Sequence, residues 1–99
     1  MSIARPQYSI IIPTCNRAET LVKTLDSVMS QTLPRHKYEI LIIDGGSTDN
    51  TWKKVTEFME QHSDYDIEYF YQKNAGPAKA RNLGIKESKG EVIFFTDDD

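Results

Sequence analysis

Three consecutive carboxylates, Asp97-Asp98-Asp99, follow directly on the apolar run Glu91-Val92-Ile93-Phe94-Phe95 and Thr96. Like charges crowded at the end of a buried strand repel one another, so a fold keeps them where a divalent cation or a ribose hydroxyl offsets the charge. Two other polar clusters follow apolar runs in the same way: Pro13-Thr14-Cys15-Asn16-Arg17 and Asp44-Gly45-Gly46-Ser47-Thr48-Asp49. A fourth, Gly76-Pro77-Ala78-Lys79-Ala80-Arg81, adds two cations at the start of a helical stretch.

The elements that must position these residues are four short β-branched or aromatic runs, Tyr8 to Ile12, Tyr38 to Ile43, Ile67 to Tyr71 and Glu91 to Phe95. The first, second and fourth are nearly continuous in apolar residues, as parallel strands covered on both faces are, whereas Ile67, Tyr69 and Tyr71 alternate as on an edge. Three helical stretches lie between them. Leu21, Leu25, Val28 and Met29 form one stripe, with Asn16 as the expected N-cap and Glu19 completing a loose capping box. Trp52, Val55, Phe58 and Met59 form a second stripe behind Ser47 or Asp49 as cap, which places Trp52 in the core. Gly76-Pro77 starts the third, whose Ala78, Ala80 and Gly84 permit close approach to a sheet.

The alternation predicts an α/β, three-layer, Rossmann-like βαβαβαβ unit over residues 1–99, with a mainly parallel sheet of order 3-2-1-4. In that order the first, second and fourth strands open their carboxyl ends on one rim, and the crevice between the first and fourth is the expected binding site. Neither G-x-G-x-x-G nor G-x-x-x-x-G-K-[ST] occurs, so a nucleotide must be held in another way.

Ninety-nine residues with a net charge of −3 and no basic stripe argue against a nucleic-acid partner. The single cysteine, Cys15, forms no internal disulfide, and with no signal peptide, membrane span or Asn-x-Ser/Thr site a cytoplasmic setting is expected. His36 and His62 have no second metal ligand at useful spacing and are expected at the surface.

The runs Ile10-Ile11-Ile12-Pro13-Thr14-Cys15-Asn16-Arg17, Ile43-Asp44-Gly45-Gly46-Ser47-Thr48-Asp49, Asn74 to Gly84 and Gly90 to Asp99 together resemble the amino-terminal half of a family 2 glycosyltransferase of GT-A fold. The resemblance implies a nucleotide-diphospho-sugar donor and an inverting transfer of its sugar to an acceptor hydroxyl. It assigns the donor to Pro13, Thr14, Cys15, Asn16, Asp44, Lys79, Arg81, Asp97 and Asp98, and the metal, Mn²⁺ or Mg²⁺, to Asp97 and Asp99. Asp97 would approach the ribose or the metal's water shell, and Asp99 the metal that bridges the diphosphate. Asp44 would accept a hydrogen bond near the nucleoside; the lesser alternative is a cap of the Gly45-Gly46-Ser47 turn. Lys79 and Arg81, two apart on a helix, point about 200° from each other, so one of them reaches the donor, and the resemblance favours Arg81. Asn82 is expected to bridge to the second-strand loop.

Two positions depart from the uridine-nucleotide members: Cys15 stands where many have tyrosine, and Gly45 where many have a second aspartate. The base is therefore left open. In the family the acceptor site and the catalytic base lie downstream of the acidic motif, so these 99 residues alone are expected to have negligible transferase activity and to self-associate through the open edge of the fourth strand. A non-catalytic nucleotide-sugar or metal-binding module and a receiver-like Mg²⁺-binding domain are the competing readings.

Overall fold

The computed structural model describes residues 6–31, 33–74 and 76–96. Along the chain run β1 (Tyr8–Thr14), α1 (Ala18–Met29), β2 (Tyr38–Asp44), α2 (Thr51–Gln61), β3 (Ile67–Tyr71), α3 (Pro77–Glu87) and β4 (Val92–Phe95), with a 3-10 turn at Arg35–Lys37 before β2. The sheet order is β3-β2-β1-β4, as the alternation of elements requires, and every pair is parallel. β1 sits between β2 and β4 in register Ile10↔Ile40 and Ile10↔Phe94.

Covering on both faces explains the unbroken apolar runs. All seven residues of β2 are buried. On one face Ile12, Ile40 and Ile42 pack against Leu21, Leu25 and Val28 of α1 and Val55 and Phe58 of α2. On the other, Ile11, Leu41 and Ile43 meet Ala80 of α3. Gly84 lets α3 lie this close, because a Cβ there would stand 2.5 Å from Cγ2 of Ile11.

One member of β2 breaks the apolar run. Glu39 is fully buried, and its Oε2 accepts from the Ser9 hydroxyl at 2.7 Å and from the Lys89 N–H at 2.6 Å. Its Oε1 has no hydrogen-bond partner among the described residues.

Three local expectations change. Asn16 does not cap α1: Arg17 holds the N-cap position without a side-chain capping bond, and Asn16 stands at φ 54° with its carboxamide turned to another loop. Trp52 is 60 % exposed instead of buried, and lies against Tyr69 of β3 with ring centroids 5.0 Å apart. His62 is half-buried, stacked on Phe58 at a centroid distance of 4.1 Å with Nδ1 2.9 Å from the Phe58 carbonyl oxygen. At the opposite edge Val92, Phe94 and Phe95 of β4 are exposed, as an uncovered edge strand implies.

Candidate functional site at the carboxyl rim of the sheet

Four chain segments converge on the carboxyl ends of the strands: residues 15–17, 45–50 and 72–74, and Thr96, whose N–H donates to Ile11 O at 3.0 Å. Their geometry starts from Asp44. As the last residue of a central strand it is fully buried, and a carboxylate there must find donors nearby. Oδ1 accepts from the N–H groups of Gly46 at 3.0 Å and Ser47 at 2.8 Å, and Oδ2 accepts from the Tyr69 hydroxyl. The turn this builds needs glycine: Gly46 has φ +119°, and a Cβ on it would lie 3.0 Å from the backbone nitrogen of Asn74. The role that the Gly45-Gly46-Ser47 sequence invites, a carboxylate capping its own turn, is the one Asp44 fills.

The loops after β1 and β2 are locked together. Gly45 N–H donates to Thr14 O at 2.9 Å, and the backbone N–H of Asn16 donates to Ser47 Oγ at 2.8 Å. Asn16 Oδ1 then accepts from Thr48 N–H at 2.8 Å and Asp49 N–H at 3.2 Å. Asparagine tolerates the left-handed conformation needed to aim its side chain this way. Asn82, expected to make such a bridge, is exposed on α3, and Asn16 makes it instead. Asn50, and neither Asp49 nor Ser47, holds the N-cap position of α2, without a side-chain capping bond; Asp49, one residue earlier, accepts from Thr51 N–H at 3.0 Å and from the Thr51 hydroxyl.

Electrostatics follow from these contacts. The Thr51 hydroxyl bonded to Asp49 holds that carboxyl below its ordinary value. Burial, then the bond to Asp44 and its charge, push the Tyr69 phenol well above the usual tyrosine range.

Pro13, Thr14, Cys15, Asn16 and Asp44 are thus brought together at one rim. Thr14 is buried beside Asp44 in the β1–β2 register, and Cys15 is exposed with a free thiol. Lys79 and Arg81 are both exposed at the start of α3, on either side of the buried Ala80. Asp97, Asp98 and Asp99 follow Thr96 in sequence and lie outside the described residues. Among the described residues no three His, Cys, Asp or Glu side chains are grouped to hold a metal, and Asp44 is committed to its turn. Tyr69 and Ser47 are the rim residues that sequence reasoning missed; the alternation of Ile67, Tyr69 and Tyr71 beside Asp44 carried a signal for the first.

Residues 9–99 match the family described as glycosyl transferase family 2. The chain belongs to glycosyl transferase family 2. The glycosyltransferase AglE of Haloferax volcanii is 38 % identical over 99 residues, which are 100 % of this chain and 32 % of that protein. Among solved structures, the mannosyltransferase PcManGT of Pyrobaculum calidifontis, in complex with GDP-Man and Mn²⁺, superposes with a TM-score of 0.90 at 33 % identity, over 97 % of this chain and 28 % of its own. Staphylococcus aureus TarS in complex with UDP-GlcNAc gives 0.84 at 28 % identity, over 94 % of this chain and 26 % of its own. This family 2 chain has the GT-A fold in the part that it spans, about a third or less of each of these relatives.

Proposed function

We propose that this family 2 chain binds a nucleotide-diphospho-sugar at the rim crevice between β1 and β4, and that a protein of its relatives' length transfers the sugar with inversion to an acceptor hydroxyl. The observation that carries the reading is the superposition on a mannosyltransferase holding GDP-Man and Mn²⁺, over 97 % of this chain. In this reading Pro13, Thr14, Cys15 and Asn16 line the nucleoside, and Asp44 acts through the turn it holds. Arg81 or Lys79 meets the diphosphate from α3, and Asp97 and Asp98 face the ribose and sugar.

Asp97 and Asp99 would hold Mn²⁺ or Mg²⁺ as a D-x-D pair. The cation would offset the negative charge gathering on the departing nucleoside diphosphate. The chain's own contribution is a preformed rim: the loops after β1 and β2 are cross-bonded in advance, so little ordering accompanies binding. A cytoplasmic location goes with a nucleotide-sugar donor and the free thiol of Cys15.

Calorimetric titration with UDP, GDP, dTDP and CDP, with and without Mn²⁺, tests the donor reading. Metal-dependent binding of one nucleotide that Asp99→Ala abolishes is the expected result and names the base. Failure of all four to bind a chain shown to be folded by circular dichroism would overturn it.

A further inference from the structure

Trp52 is 60 % exposed and Tyr71 53 % exposed on the flank formed by α2 and the outer edge of β3. Trp52 leans on Tyr69 with ring centroids 5.0 Å apart and planes at 46°. The pair forms a ridge with a concavity on each side. One, of about 430 Å³, is completed by Asp44, Ser47, Asp49 and Tyr71. The other, of about 480 Å³, is completed by Thr56, Met59, Glu60 and Ser63. Each falls in the range of small-molecule sites, about 300–1,000 Å³.

The exposed rings of Trp52 and Tyr71 flank the half-buried Tyr69, so three aromatic side chains meet on this one surface. The chemistry around it selects the partner. Neither concavity is lined by lysine or arginine, so phosphate, nucleotide and anionic lipid find no counter-charge there. Ring faces alternate instead with the carboxylates of Asp49 and Glu60 and the hydroxyls of Ser47, Thr56 and Ser63. A pyranose with equatorial hydroxyls is complementary to that arrangement. Its axial C–H bonds, polarised positive, cover the negative face of an aromatic ring. Its equatorial O–H groups point outward, where carboxylates and hydroxyls accept them.

We infer that the Trp52–Tyr69 ridge is a carbohydrate-binding subsite: one pyranose of a neutral oligosaccharide stacks on the indole, and its neighbours occupy the two concavities. The ridge lies at the β3 edge, across the sheet from β4, and its first concavity shares Asp44, Ser47 and Asp49 with the rim loop after β2, whereas the second shares no residue with the proposed donor site.

Trp52 is the chain's one tryptophan, so intrinsic fluorescence reads this surface alone. Titration with cellohexaose and with N-acetylglucosamine hexamer should give a saturable emission change, with a dissociation constant of about 0.1–10 mM as befits a shallow subsite. Saturation should at least halve acrylamide quenching. Tyr71→Ala keeps the probe and lies outside the Asp44 hydrogen bonds; it should weaken binding about fivefold or more. Unchanged emission and quenching with both sugars in a chain shown to be folded by circular dichroism would overturn the assignment. So would an undiminished response in Tyr71→Ala, or a response to choline alone, which would make the ridge a cation site.

Discussion

The Tyr69 hydroxyl on β3 donates to Oδ2 of Asp44 on β2, reaching two residues along the sheet, since Tyr69 itself lies beside Ile42. One buried carboxylate thereby joins the edge strand to the turn that shapes the rim. Tyr69→Phe removes the donor and leaves Oδ2 unpaired in the interior. The expected loss is about 1–3 kcal/mol of stability, read as a lower urea midpoint with unchanged slope.

The same bond gives an alkaline signature. Unfolded tyrosine releases its proton near pH 10, whereas folding keeps the Tyr69 phenol protonated to higher pH. Its contribution is fully present below about pH 10 and is lost as pH rises toward the folded-state value. Stability measured between about pH 9 and 11 should fall with pH, and Tyr69→Phe should flatten that fall in part, because burial also raises Tyr38.

Asn16 combines a left-handed backbone with a cross-loop acceptor, and two substitutions separate these roles. Asn16→Gly keeps the conformation and frees the N–H groups of Thr48 and Asp49; at this exposed site it should cost about 0.5–1.5 kcal/mol. Asn16→Ala should cost about 1 kcal/mol more, from the strain of φ 54°. Equal urea midpoints for the two variants would show that the acceptor alone matters.

Gly84→Ala forces a methyl group to within 2.5 Å of the Ile11 side chain. Overpacking at a helix–sheet contact costs about 1–3 kcal/mol despite the better helix propensity of alanine. A thermal melt at or above that of the wild type would contradict this account of why α3 carries a glycine.

At the other edge, Val92, Phe94 and Phe95 leave an apolar strand uncovered among the described residues. We propose that the 99-residue chain self-associates there. Sedimentation velocity should show a concentration-dependent shift that Phe94→Lys reduces, and a monomer at all concentrations would contradict it.

Much of this architecture is legible in the sequence because parallel strands covered on both faces must be apolar throughout, and helices alternating with them must cross over in one hand. Of the doubly wound orders compatible with those rules, 3-2-1-4 is the one expected and the one observed. What escaped depends on where an element ends relative to its neighbours. Trp52 occupies the same helical stripe as Val55 and Phe58, yet only the latter two overlie the sheet. Asn16 has the composition of a cap, and its role is set by a loop about thirty residues away that no local pattern discloses. Glu39 hides inside an apolar run because its partners, Ser9 and the backbone of Lys89, come from distant parts of the chain. In the candidate site the rim loops were anticipated as a group, while the bonds that tie Asp44 to the N–H groups of Gly46 and Ser47 and to the Tyr69 hydroxyl needed coordinates.

The sheet order also dictates a timetable. Of the four strands described, β1 leaves the ribosome before the others, and its partner on one side, β4, follows all of them: Tyr8 pairs with Val92. Until residues 92–95 emerge, a strand that ends up interior has one bare flank, open to any extended segment that arrives earlier. Closing so long a loop also slows the final docking step. The nascent chain thus holds its β1–β2 pair half-finished throughout the synthesis of α2, β3 and α3, a window in which a chaperone or a neighbouring nascent chain can compete for the place of β4.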